Sequence, residues 1–433
     1  MKYYSLNYKA PDESFQEAVV RGIAPDRGLY FPKKITTLPE SFFKNIKNLS
    51  NEEIAFQAIQ QFVGDEIDEK SLRSIIAETV SFDFPMVKIS ENIRSLELFH
   101  GPTMAFKDVG ARFMARCLGY FAEGSEKKQD VTVLVATSGD TGGAVANGFL
   151  GVEGVKVVIL YPSGKVSDIQ EKQLTTLGQN ITSLEVDGSF DDCQEMVKTA
   201  FLDGDITSKK QLTSANSINI ARWLPQLFYF LFAYKQLEDT SKPLVFSVPS
   251  GNFGNICAGI MAHKLGMPVS QFIASVNRND VVTRFMKSGE YTPKPSVATI
   301  SNAMDVGDPS NFIRIREIFN NDFEALSKKL TSYSFSDSET RSAIKHMYEE
   351  YNYIADPHGA VGYLGLRKYL EGQPEIQGVF LETAHPIKFL DVVENVIHKK
   401  VTLPEDIKTL ISKEKKSILI KNYEEFKMYM MYS

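Results

Sequence analysis

Continuous apolar runs limit what this chain can fold into more than any other feature. They fall at Val131–Ala136, Val155–Tyr161, Leu184–Val186, Leu244–Val248, Phe272–Val276 and Gly378–Leu381. Most are followed by a Gly-rich or polar turn and then by residues with helical spacing. A strand that reads apolar throughout must be covered on both faces, and parallel sheets flanked by helices provide that cover. The expected fold class is α/β. The first ninety or so residues have a different texture. There, short extended pieces (Tyr3–Tyr8, Gly28–Phe31) alternate with helical patterns such as Ser14–Arg21 and Glu52–Val63, and nothing has catalytic character. At 433 residues the chain exceeds what one small core can organise, so two or three domains are expected. The Lys/Glu-rich tail after Val401 predicts a solvated terminal helix.

Composition excludes several classes of function. A net charge of −6 leaves no electrostatic footprint for nucleic acid. No apolar run approaches the roughly 20 residues of a membrane span. The start, Met1-Lys2-Tyr3-Tyr4, lacks the basic-then-apolar pattern of a secretory signal. Cys117, Cys193 and Cys257 stand far apart in helical segments, as reduced, buried small hydrophobes would. The scattered histidines have no zinc-ligand spacing. The expectation is a cytoplasmic protein without a metal and without an obligate protein partner.

Within the α/β region, Lys107 stands out, in F-H-G-P-T-M-A-F-K-D (Phe99 to Asp108). Leu96 and Leu98 alternate with Ser95 and Glu97 as in a half-buried strand, and His100-Gly101-Pro102 breaks it. Thr103 is placed to cap the helix that follows, whose apolar stripe runs from Phe106 through Val109, Phe113, Met114, Cys117, Leu118 and Phe121. An ammonium in the first turns of that helix meets the positive end of the dipole and some desolvation, and both favour the neutral amine that a Schiff-base former needs. A lone lysine there is more often a surface residue. Its company reverses that balance.

Three loops follow strands, where ligands of parallel sheets gather. In A-T-S-G-D-T-G-G (Ala136 to Gly143), hydroxyls and close glycines let backbone N–H groups converge on an anion; a plain capped helix start is the equal alternative. P-S-G-N-F-G-N (Pro249 to Asn255) resembles a phosphate cradle. It lacks the lysine and hydroxyl of a Walker loop and departs from G-x-G-x-x-G, which disfavours a nucleotide. L-E-T-A-H-P-I-K-F (Leu381 to Phe389) offers a threonine hydroxyl to a ring nitrogen, although a helix start accounts for it as simply. N-S-I-N-I-A-R (Asn216 to Arg222) gathers amides, a hydroxyl and a guanidinium suited to bidentate contact with phosphate, with a surface salt bridge as the alternative.

An amine nucleophile with two anion cradles and no metal or nucleotide motif points to an organic phosphorylated cofactor that condenses with lysine, as pyridoxal 5'-phosphate does. These segments, with N-A-M-D-V-G-D-P-S-N (Asn302 to Asn311), D-P-H-G-A-V-G (Asp356 to Gly362) and the early A-P-D-R-G-L-Y-F-P (Ala24 to Pro32), resemble the threonine synthases of the longer bacterial and fungal type, over nearly the whole chain and in order. The resemblance implies a type II pyridoxal phosphate enzyme fold: two parallel-sheet α/β domains plus an N-terminal α+β domain. The implied division is 1–93 for the N-terminal domain, 126–204 for a small domain, and 94–125 with 205–433 for a large cofactor-binding domain. Lys107 would form the Schiff base. Ser250, Gly251, Asn252, Phe253 and Asn255 would hold the cofactor phosphate, and Thr383 would face the pyridine nitrogen. Ser138, Gly139, Asp140 and Thr141 would take the substrate carboxylate. Related enzymes more often carry Asn where Asp140 stands, so a contact with the cofactor's phenolic oxygen requires a proton on one of the two. Asn216, Ser217 and Arg222 are the candidates for the substrate phosphate. The implied reaction turns O-phospho-L-homoserine and water into L-threonine and phosphate. A β-eliminating relative and a catalytically silent metabolite-binding module are the alternatives.

Overall fold

A computed structural model describes residues 1–124 and 130–433. Two sheets carry the architecture. The larger has six strands in the order Leu330–Ser334, Gln271–Val276, Leu244–Pro249, Gln377–Glu382, Ile93–Glu97 and Met86–Lys88. All neighbours are parallel except the last pair. The smaller has five parallel strands in the order Ile418–Ile420, Ile181–Val186, Val155–Pro162, Val131–Ala136 and Gln211–Ser214. The six apolar runs are all strands, and both sheets are covered on both faces. Val133 and Val135 pack with Val145 and Phe149 on one side of the small sheet. Leu134 and Ala136 pack with Cys193 and Val197 on the other, the period of two expected of a pleated strand.

The N-terminal region pairs Tyr3–Ser5 with Tyr30–Pro32 antiparallel and adds helices that include Phe15–Arg21, Asn51–Val63 and Glu69–Thr79. Ser14, Ser50 and Asp68 cap those helices through their side chains. Their apolar faces do not form a separate core. Ile54, Ile59, Phe62 and Ile76 join one continuous cluster with Phe113 and Leu118 of helix Lys107–Glu123 and with Leu227 and Phe228 of helix Leu227–Lys235.

Several expectations are corrected. Gln211–Ser214 and Ile418–Ile420 pair into the small sheet although the implied division assigns 205–433 to the large domain, and Met86–Lys88 pairs into the large sheet although it lies within 1–93. Edge strands of three or four residues are too short to announce themselves. Ser95 is fully buried, so the strand before Lys107 is covered on both faces rather than half-exposed. The terminal helix Tyr423–Tyr432 is docked rather than fully solvated: Phe426 and Met430 are buried against the small sheet's core. Thr103 is not the cap of the Lys107 helix. Its hydroxyl and N–H both hold the buried Asp108 carboxylate instead.

Candidate active site

The pairing of strands Ile93–Glu97 and Gln377–Glu382 continues beyond their ends and builds the centre of the site. Leu98 N–H donates to the Glu382 carbonyl, Phe106 N–H to the Thr383 carbonyl and His385 N–H to the Met104 carbonyl. Ala105 and Ala384 form an isolated bridge between the same segments. Lys107, the first residue of its helix, is thereby held beside Thr383. Both line a cleft of about 400 Å³ between the two sheets. Tyr229 donates to the Phe106 carbonyl and braces this turn from below.

The opposite wall follows strand Leu244–Pro249. Phe253 adopts the left-handed conformation (φ 61, ψ 11) directly before helix Gly254–Lys264. Among the described residues, the backbone N–H groups of Gly251, Asn252, Phe253, Gly254 and Asn255 have no acceptor. Successive unpartnered donors at a helix N-terminus form an anion site. Segment 302–311 closes over this loop. A Cβ on Gly251 would lie 2.7 Å from Met304 Cα, so only glycine admits the approach. Ser310 N–H donates to the Asn252 side chain and Asn311 N–H to the Asn252 carbonyl. Ala303 N–H donates to Nε2 of the buried His358. That makes Nε2 an acceptor, so the proton sits on Nδ1, which donates to Asp356.

The small-sheet loop faces both of these. Ser138, Asp140 and Thr141 line the cleft, and their backbone N–H groups have no acceptor among the described residues. The Asp140 carboxylate is buried and accepts from Lys388 Nζ at 2.6 Å and from Gln170 Nε2 at 2.9 Å. Burial alone would raise its pKa. The charges of Lys388 and Lys107, with these hydrogen bonds, hold it well below the ordinary carboxylate range. Burial is also the main cause that brings Lys107 down to about 8; Asp140 opposes it, while Lys388 and Arg222 add to it.

Arg222 is 3% exposed and lines the cleft, yet its Nε and Nη1 have no partner. Burial lowers its pKa to about 10, against the charges of Tyr229 and Asp108. Gln226 lies nearby with an unpartnered Oε1, its amide donating to the Arg222 carbonyl. A buried guanidinium with free donors is expensive unless an anion arrives.

The structure thus gathers Lys107, Ser138, Asp140, Thr141, Asn216, Ser217, Arg222, Gly251, Asn252, Phe253, Asn255 and Thr383 around one cleft. Two expected residues stand behind the lining. Ser250 turns its hydroxyl to the Val248 carbonyl and its N–H to the Ser275 carbonyl. Gly139, at φ 133, leaves the space that Gln170 fills. The Ser217 hydroxyl already accepts from Asn252 and Asn311, and Asn216 donates to the Ala136 carbonyl, so both also shape the walls. Sequence reasoning missed Lys388, Gln170, His358 and Gln226. Lys388 and His358 both lie in motifs already singled out, but nothing in those motifs marks either side chain as buried.

Comparison with known proteins agrees with this geometry. Residues 95–379 match the family model described as "Pyridoxal-phosphate dependent enzyme", residues 2–80 "Threonine synthase N terminus" and residues 359–430 "Threonine synthase, C-terminal". The threonine synthase of Escherichia coli (strain K12) is 43% identical over 408 residues, 94% of each chain. That of Saccharomyces cerevisiae is 38% identical over 483 aligned positions, covering 96% of this chain and 94% of the relative. Among solved structures, the E. coli threonine synthase superposes with a TM-score of 0.93 at 40% identity, covering 100% of this chain and 99% of that one. A PLP-bound threonine synthase from Brucella melitensis gives 0.92 at 32%, with the same coverage. Maize serine racemase, at 16% identity and a TM-score of 0.55, shares the fold alone. The chain belongs to the pyridoxal-phosphate dependent enzymes and, within them, to the threonine synthases.

Proposed function

We infer that this protein converts O-phospho-L-homoserine and water to L-threonine and phosphate with pyridoxal 5'-phosphate as cofactor, in a cytoplasmic setting that suits its free, buried cysteines. The observation that carries the reading is the convergence on one cleft of a buried lysine amine, an unpartnered run of backbone donors and a buried, unpartnered guanidinium. The residues present fit the cofactor. Lys107 supplies the amine for its aldehyde, the Gly251–Asn255 N–H groups suit its phosphate, and the Thr383 hydroxyl suits the ring nitrogen. A neutral hydroxyl there does not enforce protonation of that nitrogen.

When bound, pyridoxal phosphate supplies the electron sink for negative charge developing at substrate carbons. The chain's own residues do the rest. The Ser138, Asp140 and Thr141 N–H groups hold the substrate carboxylate at a helix N-terminus. Arg222, which shares the cleft with Asn216 and Ser217, takes the substrate phosphate through its guanidinium. Lys107 Nζ would take the proton from Cα, carry one away from Cβ and one to Cγ, and return one to Cα. The Cγ–O bond breaks with its electron pair on phosphate, water adds its oxygen at Cβ, and Cγ gains a proton.

The test is chemical trapping. Borohydride reduction of cofactor-saturated protein is expected to fix the cofactor on the peptide that contains Lys107, and Lys107→Ala is expected to abolish both that label and turnover. A label on another lysine, or none, would contradict the assignment.

A further inference from the structure

Lys388 and Asp140 join loops that belong to different sheets. Lys388 is 1% exposed, in the turn Pro386–Phe389 beyond the large sheet's strand Gln377–Glu382. Asp140 opens the helix that follows the small sheet's strand Val131–Ala136. Besides Asp140 at 2.6 Å, Lys388 Nζ donates to the Thr103 carbonyl at 2.9 Å. The same carbonyl accepts from Gln173 at 3.1 Å, and Thr103 in turn grips Asp108, the neighbour of Lys107. A fully buried ion pair stabilises no more than apolar residues of the same shape would, so stability does not account for it.

We propose that Lys388 is a positioning residue for the Lys107 amine: it pairs the Asp140 carboxylate in place and cancels the negative charge that would otherwise hold Lys107 as an ammonium. The charges that face Lys107 are Asp140, Lys388 and Arg222. Asp108 faces Lys388 and Arg222 from the Lys107 helix, and Tyr229 faces Arg222 from helix Leu227–Lys235. With Lys388 in place, the pull of Asp140 on the Lys107 proton is opposed, and burial with Arg222 lowers the amine further. Without it, an uncompensated carboxylate in a poorly solvated cleft pulls the proton back. An opposite charge at close range shifts a titrating group by about 1–3 pH units. The inference rests on reading Lys107 as the amine that condenses with the cofactor.

The experiment is trace amine labelling of Lys107 across pH in the full-length, cofactor-free protein, read by peptide mass spectrometry. Wild type is compared with Lys388→Met, Asp140→Asn and the double variant. The wild-type midpoint is expected near 8. Lys388→Met is expected to raise it by one unit or more, about a tenfold loss of neutral amine at pH 7. Asp140→Asn, which leaves Lys388 in place, is expected to move it below wild type. The double variant is expected to return within about threefold of wild-type labelling at pH 7, because both charges are gone together. An unchanged midpoint in Lys388→Met overturns the proposal, as does a double variant as impaired as the single one, which would mark a structural role. If Lys388→Met does not fold, an unchanged or raised midpoint in Asp140→Asn overturns it alone. These readouts involve no turnover. Failure of the functional reading shows separately, as absence of borohydride-trapped cofactor on wild-type Lys107.

Discussion

Two buried arginines, Arg222 and Arg314, behave in opposite ways. Burial lowers both to about 10. Arg314 is saturated by the chain: its nitrogens donate to the Tyr30, Ser217 and Ile218 carbonyls and to the Asn311 side chain, and its guanidinium lies 4.4 Å from the Trp223 ring centre. It ties the N-terminal strand to segment 216–222 and to the wall over the phosphate loop. Arg222, next to Trp223 in sequence, has its Nε and Nη1 unpartnered and faces the cleft. The same side chain at the same burial is a fastener in one place and a receptor in the other. Satisfaction of the donors separates the two roles; burial does not.

Truncating each arginine separates the two roles. Arg314→Met leaves several buried carbonyls without donors and is expected to cost about 3–5 kcal/mol in denaturant unfolding. A loss below 1 kcal/mol would remove its fastening role. Arg222→Met is expected to lower kcat/KM for O-phospho-L-homoserine by about 30- to 1000-fold, the ~2–4 kcal/mol of a lost buried charge-assisted contact, with cofactor affinity much less affected. Equal loss of cofactor and substrate binding would mean that Arg222 serves the wrong phosphate. The smallest effect concerns the stability of the same variant. Removing an unpaired buried cation is expected to leave unfolding free energy within about 1 kcal/mol of wild type, or higher. A large destabilisation would make Arg222 a second fastener.

The fold and most of the cleft were legible in the sequence, for reasons that particular residues make clear. Val131–Ala136 and Leu244–Val248 announce themselves because strands covered on both faces lose their alternation. The loops after them were readable because glycines and hydroxyls follow directly on those runs, and Arg222 because its amide neighbours lie within two helical turns. Gln211–Ser214 was hidden by its polar ends, and the return of Ile418–Ile420 to the small sheet by its brevity and its distance along the chain. Lys388 was hidden by the general rule that lysines lie on surfaces. Its partner Asp140 is remote in sequence, so only the packed structure brings the pair together. Thr103 had the right residue type for a cap, but the helix begins at Lys107 with Phe106 in the cap position, and the Thr103 hydroxyl goes to the Asp108 carboxylate.

Product stoichiometry distinguishes this reaction from those of its eliminating relatives. With pyridoxal phosphate and O-phospho-L-homoserine, the purified protein is expected to release phosphate and L-threonine in equal amounts, with solvent oxygen in the threonine hydroxyl. Phosphate released with 2-oxobutanoate and ammonia in place of threonine would place the chemistry with the eliminating relatives and contradict the account.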